Sequence, residues 1–249
     1  MNHKSKKKRG TIKTRLDALL LQLGMAENIQ QAQAFIMAGK VICDNQRVDK
    51  PGILVALDAT LRVRGLKKYV SRGGDKLARS IISVGLSGHH FEGLHLLDVG
   101  SSTGGFSDCA LQWGAASVTC VDVGTNQLHW QLRQDPRVYL YENQDIRSFD
   151  ASKIATLPRY DWIISDVSFI SLTTIAEAIV KNAAAHTQLL LLVKPQFELA
   201  KECVPAGGVV KDKAHVRAAL NRVQDCFLEL GWRTVVCVKS AVLGRDGNQ

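Results

Sequence analysis

The sequence has no long uninterrupted run of apolar residues. Its most apolar stretch, residues 189–193, is far shorter than the roughly 18 residues that a helix needs to cross a bilayer. The lysines near the N-terminus are not followed by the apolar core of a secretory signal. These absences predict a cytoplasmic protein that has no membrane partner.

The sequence also lacks closely spaced pairs of cysteines. The six cysteines are spread along the chain, and none has a second Cys or a His at the spacing of metal ligands. The same scatter argues against a disulfide framework. The sequence therefore predicts free thiols in a reducing compartment and no bound metal.

Acidic residues are scarce in the first third of the chain. Residues 1–80 carry 17 Lys and Arg against 6 Asp and Glu, a net charge of +11, whereas the remainder carries 15 against 17, a net charge of −2. A basic segment joined to a near-neutral body indicates a module that binds a polyanion, attached to a second module. The alternative is a solvated basic surface without a partner.

The hydrophobic pattern divides this basic third into a tail and a small domain. Residues 1–12 are basic and lack apolar periodicity, which predicts a flexible tail that either adds phosphate contacts or has no fixed role. Helical spacing then predicts helices near residues 15–23 and 31–38, and short strands follow at residues 41–42, 53–55 and 61–63. Residues 13–65 are therefore predicted to form an α+β domain.

This predicted domain resembles the S4 RNA-binding domain. The matching segments are Arg15-Leu16-Asp17, Ala32, Ile36-x-x-Gly39-Lys40-Val41, Lys50-Pro51-Gly52, and Asp58 before Leu61-Arg62-Val63-Arg64-Gly65. The resemblance implies RNA binding, with Arg15, Lys40 and Arg47 as candidate contacts to phosphate or sugar. Glu27-Asn28 departs from the Ser-Arg pair that such domains often carry, which weakens the expected phosphate contact at that corner. Each cation alone is also compatible with an ordinary surface charge.

The chain beyond the small domain alternates between strands and helices. Residues 66–75 are the predicted linker, whose cations Lys67, Lys68 and Arg72 are candidate RNA contacts. From residue 76 to residue 249 the alternation predicts a Rossmann-like α/β domain with a parallel sheet covered on both faces. The predicted strands are residues 94–99, 117–121, 138–140, 162–164, 189–193 and 234–238, and the predicted helices are residues 75–84, 105–112, 172–181 and 214–230.

A glycine-rich loop follows the first of these strands, with the sequence Asp98-Val99-Gly100-Ser101-Ser102-Thr103-Gly104-Gly105-Phe106. Ligands of open parallel sheets bind at the carboxyl ends of the strands, and a helix N-terminus favours an anionic group such as a carboxylate. The loop lacks the Gly-x-Gly-x-x-Gly spacing of dinucleotide-binding turns and the Gly-Lys-Ser/Thr of kinase-type loops. Its leading acid would repel a pyrophosphate but suits a cofactor that bears an amino group and a sulfonium.

Acids at the next two strand ends complete this pattern. Asp122 ends the second strand, where a carboxylate can accept both ribose hydroxyls, and Asp145 follows the third, near the expected adenine amino group. One aspartate at a strand end is commonly a turn former, but three in succession predict S-adenosylmethionine as the cofactor. Its candidate ligands are Asp98, Gly100, Ser101, Ser102, Thr103, Gly104, Gly105, Phe106, Asp122, Asp145 and Asp166.

Two further strand ends carry Asp166 and Lys194. A lysine at the end of an apolar strand is costly to bury unless it is paired or deprotonated. Its pKa is therefore expected to fall far enough for Lys194 to act as a base. The alternative is a purely structural ion pair between Lys194 and Asp166.

Five segments together resemble the TlyA (hemolysin A) family. They are Tyr69-Val70-Ser71-Arg72-Gly73-Gly74-Asp75-Lys76-Leu77, the glycine-rich loop, Asp166-Val167-Ser168-Phe169-Ile170-Ser171-Leu172, Leu192-Val193-Lys194-Pro195-Gln196-Phe197-Glu198 and Gly207-Gly208-Val209-Val210-Lys211-Asp212. Members of this family join an S4 domain to an FtsJ-like methyltransferase domain. The resemblance spans almost the whole chain and implies 2′-O-methylation of cytidine in ribosomal RNA, with the RNA or ribosomal subunits as partners.

The resemblance also implies a catalytic set of Lys, Asp, Lys and Glu. The first three correspond to Lys76, Asp166 and Lys194. Lys194, with its pKa lowered by the nearby charge of Lys76, would take the proton of the ribose 2′-hydroxyl while Asp166 orients it.

The end of the sequence departs from the family pattern. The family's Glu follows a Gly-Asn-x segment, which here coincides with Gly247-Asn248-Gln249, and the family's last antiparallel strand is also missing. Residues 234–238 would then lack their main neighbour. We expect either a truncated reading frame or a homologue with impaired activity. An RNA-binding protein that keeps S-adenosylmethionine as a structural ligand is thus the main alternative, and a membrane-lysing activity has no sequence feature in its favour.

Overall fold

The computed structural model describes residues 13–23, 25–26, 28–65, 68–87 and 89–242. The chain divides into two compact units, Met1–Lys67 and Lys68–Gln249, and the division falls inside the predicted linker. The predicted tail, Glu27, Lys67 and residues 243–249 lie outside the described residues.

The first unit is a small α+β domain, as its hydrophobic pattern predicts. Its elements are β1 (Lys13–Arg15), α1 (Leu16–Gln22), α2 (Ile29–Met37), β2 (Val41–Cys43), β3 (Gln46–Val48), β4 (Leu54–Ala56) and β5 (Leu61–Val63). β1 pairs with β4, and β2 lies between β3 and β5, all antiparallel. Leu16, Leu19, Leu20 and Ile36 form its core between the helices and the strands. β1 and β3 were not predicted, since both are mostly polar and exposed and so have no apolar run.

A buried acid lies in the first turn of α1, and a side-chain cap explains where α2 begins. The buried carboxylate of Asp17 accepts a hydrogen bond from the amide of Ala18 and is paired with Arg15. Asn28 belongs to the Glu27-Asn28 pair that stands in place of the Ser-Arg pair of many S4 domains. Its side chain accepts a hydrogen bond from the amide of Gln31. Asn28 is therefore the N-cap of α2.

The second unit is a five-stranded, fully parallel sheet with helices on both faces. Its elements are α3 (Arg72–Ser83), β6 (His95–Val99), α4 (Gly105–Gln112), β7 (Ser117–Val121), α5 (Trp130–Arg133), β8 (Val138–Tyr141), β9 (Trp162–Ser165), α6 (Leu172–Lys181), β10 (Gln188–Leu191), α7 (Pro195–Glu198) and α8 (Lys213–Glu229). The strand order is β10-β9-β6-β7-β8, and a separate apolar core fills each face. The predicted α/β architecture is confirmed.

Part of the predicted linker is instead an integral piece of this unit. Residues 72–75 form the first turn of α3, which Ser71 caps. Upstream of it, the amide of Val70 donates to Asp108 and the carbonyl of Lys68 accepts from Gln112, both on α4. Residues 68–75 of the predicted linker, which spans residues 66–75, therefore pack within the second unit, because local glycine content does not reveal these contacts with α4.

The predicted strand at residues 234–238 is not formed. Residues 232–240 have no regular secondary structure, and Val235 is 91% exposed. Within the described residues β10 is one edge of the sheet, and no strand lies beside this segment. A β-branched sequence becomes a strand only when a neighbouring strand takes up its backbone hydrogen bonds. Of the helices in the described ranges, none combines the length and apolarity needed to span a membrane.

Candidate active site

A cavity of about 530 Å³ opens at the carboxyl ends of β6, β9 and β10. The order of the strands reverses between β6 and β9, and the crevice at such a reversal is where ligands bind in open α/β sheets. Three groups of residues line the cavity: the glycine-rich loop after β6, the start of α3, and the segments after β9 and β10.

Two glycines of the loop have a conformation that a larger residue would not tolerate. Gly100 has φ +77°, and a Cβ there would lie 2.7 Å from Val167. Gly104 has φ +87°, and a Cβ there would lie 2.3 Å from Leu132. The loop therefore turns sharply between β6 and α4, and its backbone can approach a ligand closely.

Asp98, at the end of β6, is a buried carboxyl group at the floor of the cavity. It accepts hydrogen bonds from the hydroxyl of Ser107 at 2.6 Å and from the amide of the same residue at 3.1 Å. Burial raises the pKa of Asp98 to about 7, against the opposing effect of these hydrogen bonds. The group therefore titrates near neutral pH.

The two other predicted cofactor acids have different environments. Asp122 accepts hydrogen bonds from the amides of Ser102 and Gly124, each at 2.7 Å, and so holds the glycine-rich loop in place. Asp145 pairs with Arg147, whose guanidinium lowers the pKa of that carboxyl. Neither acid lines the cavity, and their contacts to ribose and adenine stay predictions.

The remaining loop residues fit a polar ligand such as S-adenosylmethionine. Ser101, Ser102, Thr103, Gly105 and Phe106 line the cavity together with Gly100, whereas Gly104 is the N-cap of α4 behind them. The hydroxyl of Ser101 is buried and has no hydrogen-bond partner among the described residues. A buried hydroxyl without a partner is costly, and a bound polar group would satisfy it.

Lys76, Asp166 and Lys194 meet on one side of the cavity. Asp166 lies between the two lysines: its Oδ2 is 3.0 Å from Lys76 Nζ, and its Oδ1 is 2.7 Å from Lys194 Nζ. The contact between Oδ1 and Lys194 Nζ is an ion pair, since Oδ1 accepts no hydrogen bond of normal geometry. Each lysine side chain is 15% exposed, and that of Asp166 is 18% exposed. The structure thus brings together the three predicted catalytic residues.

The environment of Lys194 lowers its pKa. Desolvation is the largest cause, and the positive charge of Lys76 acts in the same direction, whereas Asp166 opposes both. The cluster therefore contains the ion pair expected as the structural alternative, and it also places a partly desolvated amine at a cavity wall.

Close glycine contacts bring Lys76 to this cavity. α3 packs against α4 so tightly that a Cβ on Gly105 would lie 2.1 Å from the hydroxyl of Ser71 and 2.9 Å from the amide of Gly74. A Cβ on Gly74 would meet the ring of Tyr69 at 2.3 Å. The first turn of α3 therefore lies directly against the glycine-rich loop, and Lys76 follows directly after this turn.

Three residues of the site were not assigned a role from the sequence. Ser168 lies 2.6 Å from Lys194 Nζ, and Phe169 is 92% exposed with φ +65°, a strained value for a residue other than glycine. The ring of Phe169 lies 5.4 Å from that of Phe197 at the same cavity. All three stand in the segments that carry the family resemblance, but no pattern of charge or periodicity distinguishes them from their neighbours.

The predicted RNA contacts are exposed wherever the structure describes them. In the first unit, Arg15 is held by Asp17, Lys40 lies over the ring of Phe35, and the guanidinium of Arg47 packs on Gly39. In the second unit, Lys68 lies over Tyr69, and Arg72 lines the cavity. Their contact with RNA stays a prediction. Among the described residues, no group of His, Cys, Asp or Glu is arranged to hold a metal ion.

Comparison with known proteins identifies both units. Residues 69–249 match the FtsJ-like methyltransferase family, and residues 14–61 match the S4 domain. The chain is 39% identical over 95% of its length to the 16S/23S rRNA (cytidine-2′-O)-methyltransferase TlyA of Mycobacterium tuberculosis, of which it covers 87%. It is 35% identical over 94% of its length to hemolysin A of Brachyspira hyodysenteriae, of which it covers 96%.

A solved structure agrees with these relatives. A chain described as a candidate hemolysin from Streptococcus thermophilus superposes with a TM-score of 0.68 at 37% identity, over 96% of this chain and 86% of that one. Both the fold and the order of the two domains are shared along nearly the full length. The protein therefore belongs to the FtsJ-like methyltransferases that carry an S4 domain, the family of TlyA and hemolysin A.

Proposed function

We propose that the protein transfers a methyl group from S-adenosylmethionine to the 2′-hydroxyl of a cytidine in ribosomal RNA. The observation that carries this proposal is the cluster of Lys76, Asp166 and Lys194 in the same cavity as the glycine-rich loop. The rRNA methyltransferase activity of the TlyA relatives and the presence of an S4 domain support ribosomal RNA as the substrate. Ribosomal subunits are then its partners and the cytoplasm its location.

The residues of the glycine-rich loop hold the cofactor in this proposal. The Ser101 hydroxyl supplies an unused polar group, and Asp98 supplies a carboxylate for the cationic end of the ligand. S-adenosylmethionine, when bound, supplies an electrophilic methyl carbon on a sulfonium. A nearby carboxylate in a site shielded from water stabilises a cation more strongly than it would in bulk water.

The lysine cluster removes the proton from the ribose. A 2′-hydroxyl is a weak acid, so its attack requires a base close to the oxygen. Lys194 is the candidate base because its pKa is lowered at the cavity wall. Asp166 orients the amine, and Lys76 holds Asp166 from its other oxygen while disfavouring protonation of Lys194.

The aromatic pair at the cavity supports a nucleotide as the substrate. Phe169 exposes nearly its whole ring to solvent, and a left-handed backbone at such a residue costs on the order of 1–3 kcal/mol. A base stacked on an aromatic ring contributes about 1–3 kcal/mol. Together with the exposed Arg72 nearby, Phe169 is suited to hold a nucleotide with its ribose in the cavity.

Lys194→Met tests the proposal. We expect it to lower transfer of labelled methyl groups to ribosomal RNA by at least about 100-fold, since general-base catalysis typically contributes that much. The dissociation constant of S-adenosylmethionine, measured by calorimetry, should change little. Lys201→Met, at an exposed position outside the cavity, is the matched control.

The same experiment separates the enzyme from an RNA-binding protein that keeps S-adenosylmethionine as a structural ligand. That alternative predicts cofactor and RNA binding in the unaltered protein but no labelled RNA at any enzyme concentration. Mapping 2′-O-methyl positions in ribosomal RNA from cells with and without the gene would identify the modified nucleotide. No difference between the two maps would contradict the proposed substrate.

A further inference from the structure

The amine of Lys194 has three oxygen neighbours. They are Ser168 Oγ at 2.6 Å, the backbone carbonyl oxygen of Asp166 at 3.2 Å and Asp166 Oδ1 at 2.7 Å. A lysine ammonium has three N–H donors and no acceptor, so in its charged form it donates to Ser168 Oγ and to the backbone carbonyl, while the carboxylate attracts it as an ion pair.

Only one of these neighbours can serve the neutral amine. A base has a lone pair on Nζ, and a lone pair requires a donor opposite it. The carbonyl oxygen and the carboxylate oxygen of Asp166 can only accept, whereas a serine hydroxyl can also donate. The lone pair of neutral Lys194 is therefore directed towards Ser168.

Ser168 is also more open to the cavity than the amine is. The serine is exposed and lines the cavity, whereas the Lys194 side chain is only 15% exposed. The hydroxyl of Ser168 is therefore the more accessible of the two groups to a ribose hydroxyl in the cavity. Proton transfer through one intervening hydroxyl is within the reach of a general base.

Building on the proposed function, we propose that Ser168 relays the proton of the ribose 2′-hydroxyl to Lys194. The Ser168 hydroxyl accepts the proton from O2′ and passes its own proton to the lone pair of Nζ. As this occurs, the bond from O2′ to the methyl carbon forms and the bond from that carbon to the sulfonium breaks. The bonding electrons stay with the sulfur, which leaves as a neutral thioether, and Lys194 ends as an ammonium.

The charges that face Lys194 come from two other segments. Asp166, after β9, favours the ammonium, and Lys76, on α3, disfavours it. Ser168 adds an uncharged partner that accepts from the ammonium and donates to the amine. Its removal therefore has two separable effects, since the ammonium loses an acceptor and the reaction loses its proton path.

The test compares Ser168→Ala with Ser168→Thr, which keeps the hydroxyl, and with Ser87→Ala, an exposed serine outside the cavity. The first measurement is single-turnover methyl transfer to ribosomal RNA. We expect a loss of at least roughly tenfold for Ser168→Ala, and rates within about threefold of the original for the other two variants. The dissociation constant of S-adenosylmethionine should stay unchanged in all of them.

The second measurement does not depend on activity. Lysine residues labelled at Cε are titrated by NMR in the cofactor-free protein, and the signal of Lys194 is assigned by its loss in Lys194→Met. We expect the midpoint for Lys194 to fall by roughly one pH unit in Ser168→Ala, because the charge-assisted hydrogen bond that the ammonium loses is stronger than the neutral one that the amine loses. Ser168→Thr should titrate like the original protein.

The outcomes separate this inference from the proposed function. An original protein that methylates ribosomal RNA, with Ser168→Ala equally fast and an unchanged midpoint, overturns the relay alone. Equal losses in Ser168→Ala and Ser168→Thr, with both midpoints unchanged, also overturn it, because packing and not the hydroxyl would then matter. An original protein that methylates no ribosomal RNA instead contradicts the proposed function, and the relay falls with it.

Discussion

At the scale of single residues, the cavity depends on groups whose ordinary chemistry is altered by burial. Asp98 is the clearest case, because a buried carboxyl group with a pKa of about 7 is only half ionised at neutral pH. A cation bound beside it favours the ionised form, so binding releases a proton whenever the group begins protonated.

The affinity for S-adenosylmethionine should therefore depend on pH. We expect it to rise by up to about tenfold per pH unit below pH 7 and to level off above it, since binding requires the ionised Asp98. In Asp98→Asn the affinity should be lower and nearly independent of pH. Calorimetry between roughly pH 5.5 and pH 8.5, the window in which a pKa near 7 is resolved, measures the affinity of both proteins. Asp225→Asn, exposed on α8, should behave like the original protein, and an equally steep pH dependence in Asp98→Asn would contradict the role of Asp98.

In the proposed function Phe169 contacts the RNA substrate and not the cofactor. We expect Phe169→Ala to raise the KM for ribosomal RNA by roughly tenfold or more, because a stacking surface worth about 1–3 kcal/mol is lost. The dissociation constant of S-adenosylmethionine should remain unchanged. Steady-state kinetics with both substrates varied separates the two effects, and Phe169→Trp, which keeps an aromatic face, should restore most of the lost affinity. A weaker affinity of Phe169→Ala for S-adenosylmethionine would instead indicate that this ring contacts the cofactor.

At the scale of elements, one buried carboxylate connects the helices that follow β9 and β10. Glu198, at the end of α7, accepts hydrogen bonds from the amide of Leu172 at 2.8 Å and the hydroxyl of Ser171 at 2.5 Å, at the start of α6. Arg222 of α8 donates to the backbone carbonyl of Glu198 at 2.8 Å. A negative charge at a helix N-terminus is stabilising, and here it also fixes the segments that carry Asp166 and Lys194.

Glu198→Ala should lower the free energy of unfolding of the second unit by about 1–3 kcal/mol, since buried donors at the start of α6 lose their acceptor. Glu198→Gln should cost less, because the amide oxygen still accepts one hydrogen bond. All four tryptophans lie in the second unit, so denaturant titration followed by tryptophan fluorescence reports on it selectively. Glu202→Ala, at an exposed position, is the control, and equal stability of Glu198→Ala and this control would show that the cap is dispensable.

At the scale of the whole molecule, the two units differ in charge. Residues 1–67 carry 13 Lys and Arg against 5 Asp and Glu, a net charge of +8, whereas residues 68–249 carry 19 against 18, a net charge of +1. If the protein binds RNA as proposed, this charge difference predicts that the basic S4 domain supplies most of the non-specific attraction to RNA.

Arg47→Gln should weaken binding to ribosomal RNA fragments of different sequence by a similar factor. It should also reduce the slope of log affinity against log salt concentration by about one, because one phosphate contact is removed. Filter binding at several salt concentrations measures both quantities. Lys201→Gln in the second unit should leave the slope unchanged, and an unchanged slope for Arg47→Gln would remove this residue from the RNA contacts.

The amino-acid sequence by itself determined the class of each unit and the cofactor loop. The signals used were local in sequence: period-two and helical hydrophobic patterns, glycine positions and acids at strand ends. For this reason β6, β7, α4 and α8 lie close to their predicted positions. The family motifs then added Lys76, Asp166 and Lys194 as a set, although 90 positions separate the first two.

Only the tertiary structure decided how those residues meet and which neighbours they have. The close packing of α3 against α4 at Gly74 and Gly105 depends on contacts between distant segments, and it includes most of the predicted linker in the second unit. Residues 234–238 have a strand-like sequence but no partner, and Ser168 gains its importance only from the position of Lys194. Local pattern sets what a segment prefers, whereas a site forms where the strand order and loop geometry bring separate segments within a few ångströms of each other.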